Sequence, residues 1–299
     1  LKTRLLYTTG AGAFREQIWE KPEITSEQIE VKAVMTGVCR SDIDMMQGNF
    51  GPLPLEMQGH EGLGIVTKVG ADITDIKEGD YVATRGEPAY ADNYNVRKGE
   101  FVKVPEAHPR YILEPVACGI NVVNQNIREI AERGGPDKRL LIMGSGFLAW
   151  IAYHAVKLYH LEFEVDVVGS SNQDMWGDIL KPSTNELYDV IIDLSDRNTL
   201  FEEVNYKDNA LIVLAAQKKP RINTDFGNFL WKAVTVSFPS PRNPRFVESM
   251  RDAEFWITNG EIDVDRFWTK GYNRNTEWQE AFADGVNRPE GYSRGYIVW

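Results

Sequence analysis

Arg139-Leu140-Leu141-Ile142-Met143-Gly144-Ser145-Gly146-Phe147-Leu148-Ala149 is the stretch on which the reading of this chain turns. Its first five residues are an apolar run of the length of a buried strand. The last six fit G-x-G-x-x-A, and the residues beyond them, through about Tyr159, read as a helix. Strand, glycine turn and helix in that order make a cradle for a pyrophosphate. Gly144 permits the tight turn. Gly146 lets a phosphate lie against the backbone, where a side chain would collide with it, and Ala149 keeps the helix close to the sheet. The helix N-terminus offers unpaired N–H groups and the positive end of its dipole. Gly144, Gly146, Phe147 and Leu148 are therefore the candidate dinucleotide contacts of the turn. A small-residue turn that serves packing alone is the other reading of the same pattern.

On either side, the pattern continues. Glu164 to Val168, Tyr188 to Asp193 and Ala210 to Leu214 read as strands, and Gly119 to Arg133 as a helix stopped by Gly134-Gly135-Pro136. Strand and helix in alternation predict a parallel sheet with crossover helices. The second strand ends in Gly169-Ser170-Ser171-Asn172, without the Asp or Glu that holds the ribose hydroxyls of NAD. Ser170 and Ser171 can hydrogen-bond a 2′-phosphate, so the tip favours NADP, with NAD the alternative. Only 19 positions separate Gly169 from Tyr188. A full helix, strand and loop do not fit there, which predicts a shortened sheet. Phe246 to Asn259 reads as a helix. Phe229 to Ser237 reads as a late apolar strand; left unpaired it is an aggregation hazard, so a homodimer or homotetramer is expected unless a loop covers it.

The first 115 residues or so have a different style. Ile29 to Val34 and Val66 to Val69 alternate apolar and polar, Tyr81 to Thr84 follows Gly79-Asp80, and glycines and prolines punctuate the segments. This predicts a barrel-like or sandwich-like β domain. The final 40 residues, rich in Trp and Tyr, read as less regular. At 299 residues the chain suits about two domains. Its 33 Lys and Arg against 44 Asp and Glu give a net charge of −11, which argues against a nucleic-acid partner. No apolar run is long enough to span a membrane, and the opening Lys2-Thr3-Arg4-Leu5-Leu6-Tyr7 predicts no secretory leader. Two cysteines, Cys39 and Cys118, make no disulfide framework, so a reducing, cytoplasmic setting is expected.

Three further stretches carry metal-binding residue types: Gly37-Val38-Cys39-Arg40-Ser41-Asp42, Gly59-His60-Glu61-Gly62-Leu63-Gly64 and Glu114-Pro115-Val116-Ala117-Cys118-Gly119. All three are expected to be loops. Cys, His and Glu all bind zinc, and three protein ligands with an open position is the arrangement of a catalytic ion. Spacing alone leaves equal room for a bland reading. Cys39 is then a small buried hydrophobe, His60 a satisfied core imidazole and Glu114 a cap or salt-bridge partner.

In this order, ahead of the glycine turn, the three stretches resemble the medium-chain dehydrogenase/reductase superfamily, in its zinc alcohol and polyol dehydrogenase branch. Gly59-His60-Glu61-Gly62-Leu63-Gly64 with Gly70 and Ile73 is similar to that family's zinc signature. The resemblance covers nearly the whole chain. It implies an α/β protein: a GroES-like β-rich catalytic domain over 1–118, a Rossmann doubly wound parallel sheet over 119–259, here shortened, and a C-terminal segment, 260–299, returning to the first domain. It implies Cys39 and His60 as zinc ligands, Glu61 as an acidic neighbour able to ligate, Asp42 as the residue orienting His60, and Arg40 facing the cofactor pyrophosphate. Ser41 is then the contact of the alcohol oxygen, and Asp44 stands at a proton-relay position often held by His. The Glu-Pro-x-x-Cys-Gly context is similar to polyol and sugar enzymes and implies Glu114 as third ligand, with Cys118 competing. After Asp80 there is no cluster of four cysteines, so one catalytic zinc and no structural zinc is expected. The implied activity is reversible oxidation of a polyol- or sugar-like alcohol to a carbonyl, with zinc as Lewis acid and hydride passing to NADP or NAD. Phe50, Trp268 and Tyr272 are candidates to line the substrate site or to be core. Two rivals stand beside this reading: a zinc-free quinone or enone reductase, and a non-catalytic cofactor-binding sensor or scaffold.

Overall fold

Alternation of apolar and polar residues sets the strands of the N-terminal part, and continuous apolar runs set those of the middle. A computed structural model describes residues 2–51, 54, 57–195, 204–216, 224 and 226–299. In chain order its elements begin β1 (Lys2–Thr8), β2 (Phe14–Glu20), β3 (Gln28–Gly37), α1 (Arg40–Met46), β4 (Gly62–Val69), β5 (Tyr81–Thr84), β6 (Asn93–Arg97), β7 (Phe101–Val104) and α2 (Leu113–Asn124). There follow α3 (Ile127–Ala131), β8 (Arg139–Met143), α4 (Phe147–Leu158), β9 (Glu164–Val168), α5 (Gln173–Trp176), β10 (Leu180–Lys181), β11 (Leu187–Asp193) and β12 (Asn205–Leu214). The chain closes with α6 (Phe226–Trp231), β13 (Thr235–Ser237), α7 (Phe246–Thr258), β14 (Trp268–Asn273), α8 (Trp278–Asn287) and β15 (Arg294–Val298). It divides into two units: Leu1–Ala117 with Met250–Trp299, and Cys118–Ser249. The return to the first unit thus starts inside α7, earlier than residue 260.

In the first unit the sheet runs β14-β15-β3-β4-β5-β7, with β6 also on β3. Residues 28–32 of β3 pair with β6 and residues 35–37 with β15, both antiparallel. One strand therefore ties the C-terminal segment to the β-rich part. Two apolar clusters fill this unit. One gathers Leu5, Ile29, Val31, Val66, Val82 and Tyr94. The other joins Phe14, Val38, Ile43, Met46 and Tyr90 to Tyr272, Phe282 and Ile297 of the C-terminal segment. In it the Phe14 and Phe282 rings stack at 3.7 Å, and Tyr90 meets both edge-on.

The second unit holds a parallel sheet in the order β10-β9-β8-β11-β12-β13. Leu140, Leu141 and Ile142 of the central β8 are fully buried, as a strand covered on both faces must be. The shortening shows in the crossover after β9, which has a four-residue helix and a two-residue strand.

The structure corrects four readings of the sequence. The helix expected over Gly119 to Arg133 begins at Leu113 and is broken at Gln125-Asn126. Asn126 turns its side-chain amide back onto the Val122 carbonyl, the local competition that ends helices. Pro115 is tolerated because it falls in the first turn, where its missing N–H has no helical partner. Two of the three stretches expected as loops are largely regular: 37–42 is a strand end, two connecting residues and a helix start, and 114–119 lies within α2. Phe229 to Ser237 is not one strand: its first residues belong to α6, and only Thr235–Ser237 pair with β12. Short apolar runs do not distinguish the two states by periodicity. The last 40 residues are regular, with β14, α8 and β15.

Gly59, at φ +76°, turns the chain just ahead of β4, and a Cβ there would stand 2.6 Å from the buried Tyr90 ring. Gly59→Ala is therefore expected to lower stability by about 1–3 kcal/mol or more through backbone strain and overpacking. Urea unfolding checks it, and an unchanged midpoint contradicts the packing described.

Candidate functional site

The site grows from the end of β3. Gly37 donates its N–H to the Glu61 carbonyl at 2.9 Å, and Val38 donates to the Gly295 carbonyl at 3.0 Å. Three distant segments are thus joined by backbone hydrogen bonds. A Cβ on Gly37 would overlap the Glu61 carboxylate, so only glycine leaves room for that group. Cys39 is next, as the residue capping α1, with its N–H donating to Asp42 Oδ2 at 2.8 Å. His60 and the fully buried Glu61 come from the short turn before β4. Among the described residues, Cys39, His60 and Glu61 form a group whose ligand atoms all lie within 4.8 Å of one another. A thiol, an imidazole and a carboxylate at this spacing are a donor set for a zinc-type ion.

Around the three donors stands a supporting layer. Asp42 is fully buried; its Oδ1 is 3.6 Å from His60 Nδ1, and its Oδ2 accepts the Tyr90 hydroxyl at 2.7 Å. Arg294, the first residue of β15, donates from Nη2 to both Glu61 oxygens at 2.6 and 2.5 Å, and its guanidinium lies 4.9 Å over the Trp268 ring. Glu114 is buried in the first turn of α2. Its charge acts on His60 and on Arg294, and it stands outside the group of three. Cys118 follows one turn later, half-buried and in no disulfide.

The titrations share one sign. Burial pushes the Cys39 thiol up, with Glu61 adding to it and His60 opposing. Burial likewise raises the Asp42 carboxyl against the opposing pull of His60. Burial alone would lower His60, but Asp42, Glu114 and Cys39 carry it well above the usual imidazole range. Burial opposes the charge of Arg294 too, yet Glu61, Cys39 and Glu114 hold it cationic. Cys39 and Asp42 retain their protons, and His60 and Arg294 hold theirs. Such a cluster is short of positive charge.

The other expected residues fall as follows. Arg40 opens α1 and is exposed, and Ser41 is half-buried beside it. Asp44 accepts the Asn49 side-chain amide at 3.0 Å. Phe50 is exposed, whereas Trp268 packs under Arg294 and Tyr272 is fully buried with its hydroxyl on Asp284. In the second unit Gly144 has φ +108°, as the tight turn requires, and donates to Val168 at 2.8 Å. Phe147 and Ala149 are buried, and Leu148 is half-buried. Gly146 caps α4 at φ −89°, and a Cβ there would meet no described atom within 4 Å. Neither the backbone nor the described packing calls for glycine at that position. The Ser171 hydroxyl is 2.9 Å from Ser145 Oγ, while Ser170 is exposed. Sequence reasoning missed Arg294 and Tyr90, and gave Trp268 no link to Arg294. Arg294 sits in the C-terminal stretch that reads as less regular, and nothing local marks what it faces.

Residues 25–149 match the model of the alcohol dehydrogenase GroES-like domain. The chain is 38% identical over 314 aligned positions to the D-arabitol-phosphate dehydrogenase of Enterococcus avium, covering 87% of each protein. Its fold is similar to that of an alcohol dehydrogenase from Escherichia coli CFT073 solved with NADH, with a TM-score of 0.81 and 16% identity over 100% of this chain and 99% of that one. It is also similar to galactitol-1-phosphate dehydrogenase of Escherichia coli, with a TM-score of 0.72 and 18% identity over 100% of both. A close relative aligned over most of both chains, on a GroES-like unit and a parallel dinucleotide-type sheet, makes this chain a member of the alcohol and polyol dehydrogenases of the medium-chain dehydrogenase/reductase superfamily.

Proposed function

We propose that this oxidoreductase moves a hydride reversibly between a polyol- or sugar-type alcohol, free or phosphorylated, and NADP, with NAD the alternative, using one zinc ion per chain. The observation that carries the reading is the convergence of Cys39, His60 and Glu61 within 4.8 Å in a buried cluster short of positive charge. Cys39 and His60 would hold the ion, with Glu114 or Glu61 as carboxylate ligand. When bound, the ion supplies Lewis acidity, which lowers the pKa of an alcohol toward neutrality. The substrate class is supported by the Enterococcus avium relative, named for a phosphorylated polyol.

The chain's own residues supply position and proton movement. Asp42, fixed by Tyr90 and the Cys39 N–H, faces His60 Nδ1 and so leaves Nε2 for the metal. Arg294 grips both oxygens of Glu61 and sets how far that carboxylate can turn toward the ion. Ser41 and Asp44 are three residues apart on α1 and share a face, the arrangement for passing the alcohol proton outward. Arg40 would meet the cofactor pyrophosphate. In the second unit, the turn at Gly144, Gly146, Phe147 and Leu148 presents the N-terminus of α4 as a pyrophosphate cradle. NADP is the preferred form because the β9 tip has no carboxylate to repel a 2′-phosphate and exposes Ser170.

We also propose a homodimer through β13, the edge of the parallel sheet. Around it Phe226, Leu230, Trp231 and Phe238 are 72%, 79%, 86% and 68% exposed. An edge with no further strand on it among the described residues, flanked by exposed apolar side chains, asks for a partner strand, and a second copy offers the same edge. No described helix is long and apolar enough to cross a membrane. Cys39 and Cys118 form no disulfide, which suits a reducing compartment, and the cytoplasm is the proposed location.

Purified protein is expected to carry about one zinc per chain and to change absorbance at the nicotinamide band with a polyol or polyol phosphate, faster with NADP than with NAD. Cys39→Ser should remove both metal and turnover. Dinucleotide binding without metal or turnover across that panel would instead make the chain a sensor or scaffold. Light scattering is expected to give twice the chain mass, falling to one chain mass in Trp231→Asp; a monomeric unaltered chain contradicts the edge pairing.

A further inference from the structure

The crossover after β9 is where this chain departs most from a parallel sheet's usual construction. A connection between parallel strands commonly carries a helix of several turns. Here α5 has four residues, and β10 has two. What the segment lacks in length it recovers in bonds to one residue, Ser145 of the glycine turn. The Ser145 carbonyl accepts from the Asn172 side-chain amide at 2.8 Å and from the Trp176 indole Nε1–H at 3.0 Å. The Ser145 hydroxyl accepts from the Ser171 N–H at 3.0 Å. Gly169 is compelled by the same closeness, since a Cβ there would lie 2.4 Å from Ser145 Oγ.

Two features show that these bonds are built rather than incidental. Asn172 adopts the left-handed conformation, φ 58°, which Asn tolerates better than most residues. Trp176 is 3% exposed and is wedged edge-on against Trp150 and Tyr153 of α4, with ring centroids at 5.3 and 5.5 Å. The indole is thus immobilised with its one donor on the turn.

The consequence follows from the planarity of the peptide bond. The Ser145 carbonyl and the Gly146 N–H belong to one trans peptide and point in opposite directions. Two donors that hold the carbonyl on the side of the β9 tip therefore fix the Gly146 N–H on the other side, at the start of α4. We propose that Trp176 and Asn172 are positioning residues for the dinucleotide: their donors replace the missing crossover helix in holding the glycine turn ready for the pyrophosphate. This rests on the dinucleotide reading given under the proposed function.

Trp176→Phe keeps an aromatic ring against Trp150 and Tyr153 but deletes the donor. Asn172→Gly deletes the amide and keeps the left-handed backbone. The dissociation constant of the reduced dinucleotide, read by nicotinamide fluorescence on the full metal-loaded chain, is expected to rise roughly five- to tenfold in each. Dinucleotide KM should rise in parallel, with kcat at saturating dinucleotide, alcohol KM and metal content unchanged. A role in packing alone predicts otherwise: Trp176→Phe would bind like the unaltered chain and only Trp176→Ala would weaken. That result overturns the inference and leaves the dinucleotide reading standing. Failure of the unaltered chain to bind either dinucleotide overturns that reading, and this inference with it. Should Trp176→Phe not fold, Asn172→Gly carries the same test, and unchanged affinity in it counts against the proposal.

Discussion

A thiol, an imidazole and three carboxylates are buried together with one permanent cation, and the first unit is arranged around that imbalance. Arg294 offsets Glu61 directly. Cys39, Asp42 and His60 respond by holding protons more tightly than they would in water. Burying ionisable groups without full compensation is costly, so the neighbours that keep them together matter as much as the groups themselves. Gly37 gives space to Glu61, Gly59 gives space to Tyr90, and Tyr90 anchors Asp42. The apolar cluster from Phe14 to Ile297 then fixes Val38, Ile43 and Tyr90 on either side of the donors. A divalent ion would relieve the shortage that this packing imposes.

The second unit solves a simpler problem with the same economy of means. Its glycine turn needs Gly144 for backbone reasons and Ala149 for helix packing, whereas Gly146 is required by neither. Under the proposed function, the position is kept open for the dinucleotide. The shortened crossover has consequences as well: Gly169, Asn172 and Trp176 are committed to Ser145 and not to covering the sheet.

How much of this could be read in the sequence depended on range. The strand over 139–143, the glycine turn and the helix after it are neighbours in the chain, and their signals are local. Cys39 and His60 were legible because each sits among glycines and charges in a short, unusual stretch. Arg294 was not, because it meets Glu61 across 233 positions and its own surroundings carry no local signal. Tyr90 lies between two alanines in an apolar run and gives no sign that its hydroxyl holds Asp42. The C-terminal segment looked irregular because its regularity is tertiary: β15 is a strand by virtue of pairing with residues 35–37. The break in the helix at Asn126 and the division of Phe229 to Ser237 into helix and strand were settled by side-chain competition and by partners, which periodicity does not report.

Central to this account is that residues 39 and 60, brought together by two separate turns, share one ion. Zinc-edge X-ray absorption on the metal-loaded chain tests it most directly. The account predicts one sulfur at about 2.3 Å with nitrogen and oxygen neighbours, the sulfur lost in Cys39→Ser and the imidazole scattering lost in His60→Ala. A shell without sulfur, or one whose sulfur survives Cys39→Ser, would contradict it.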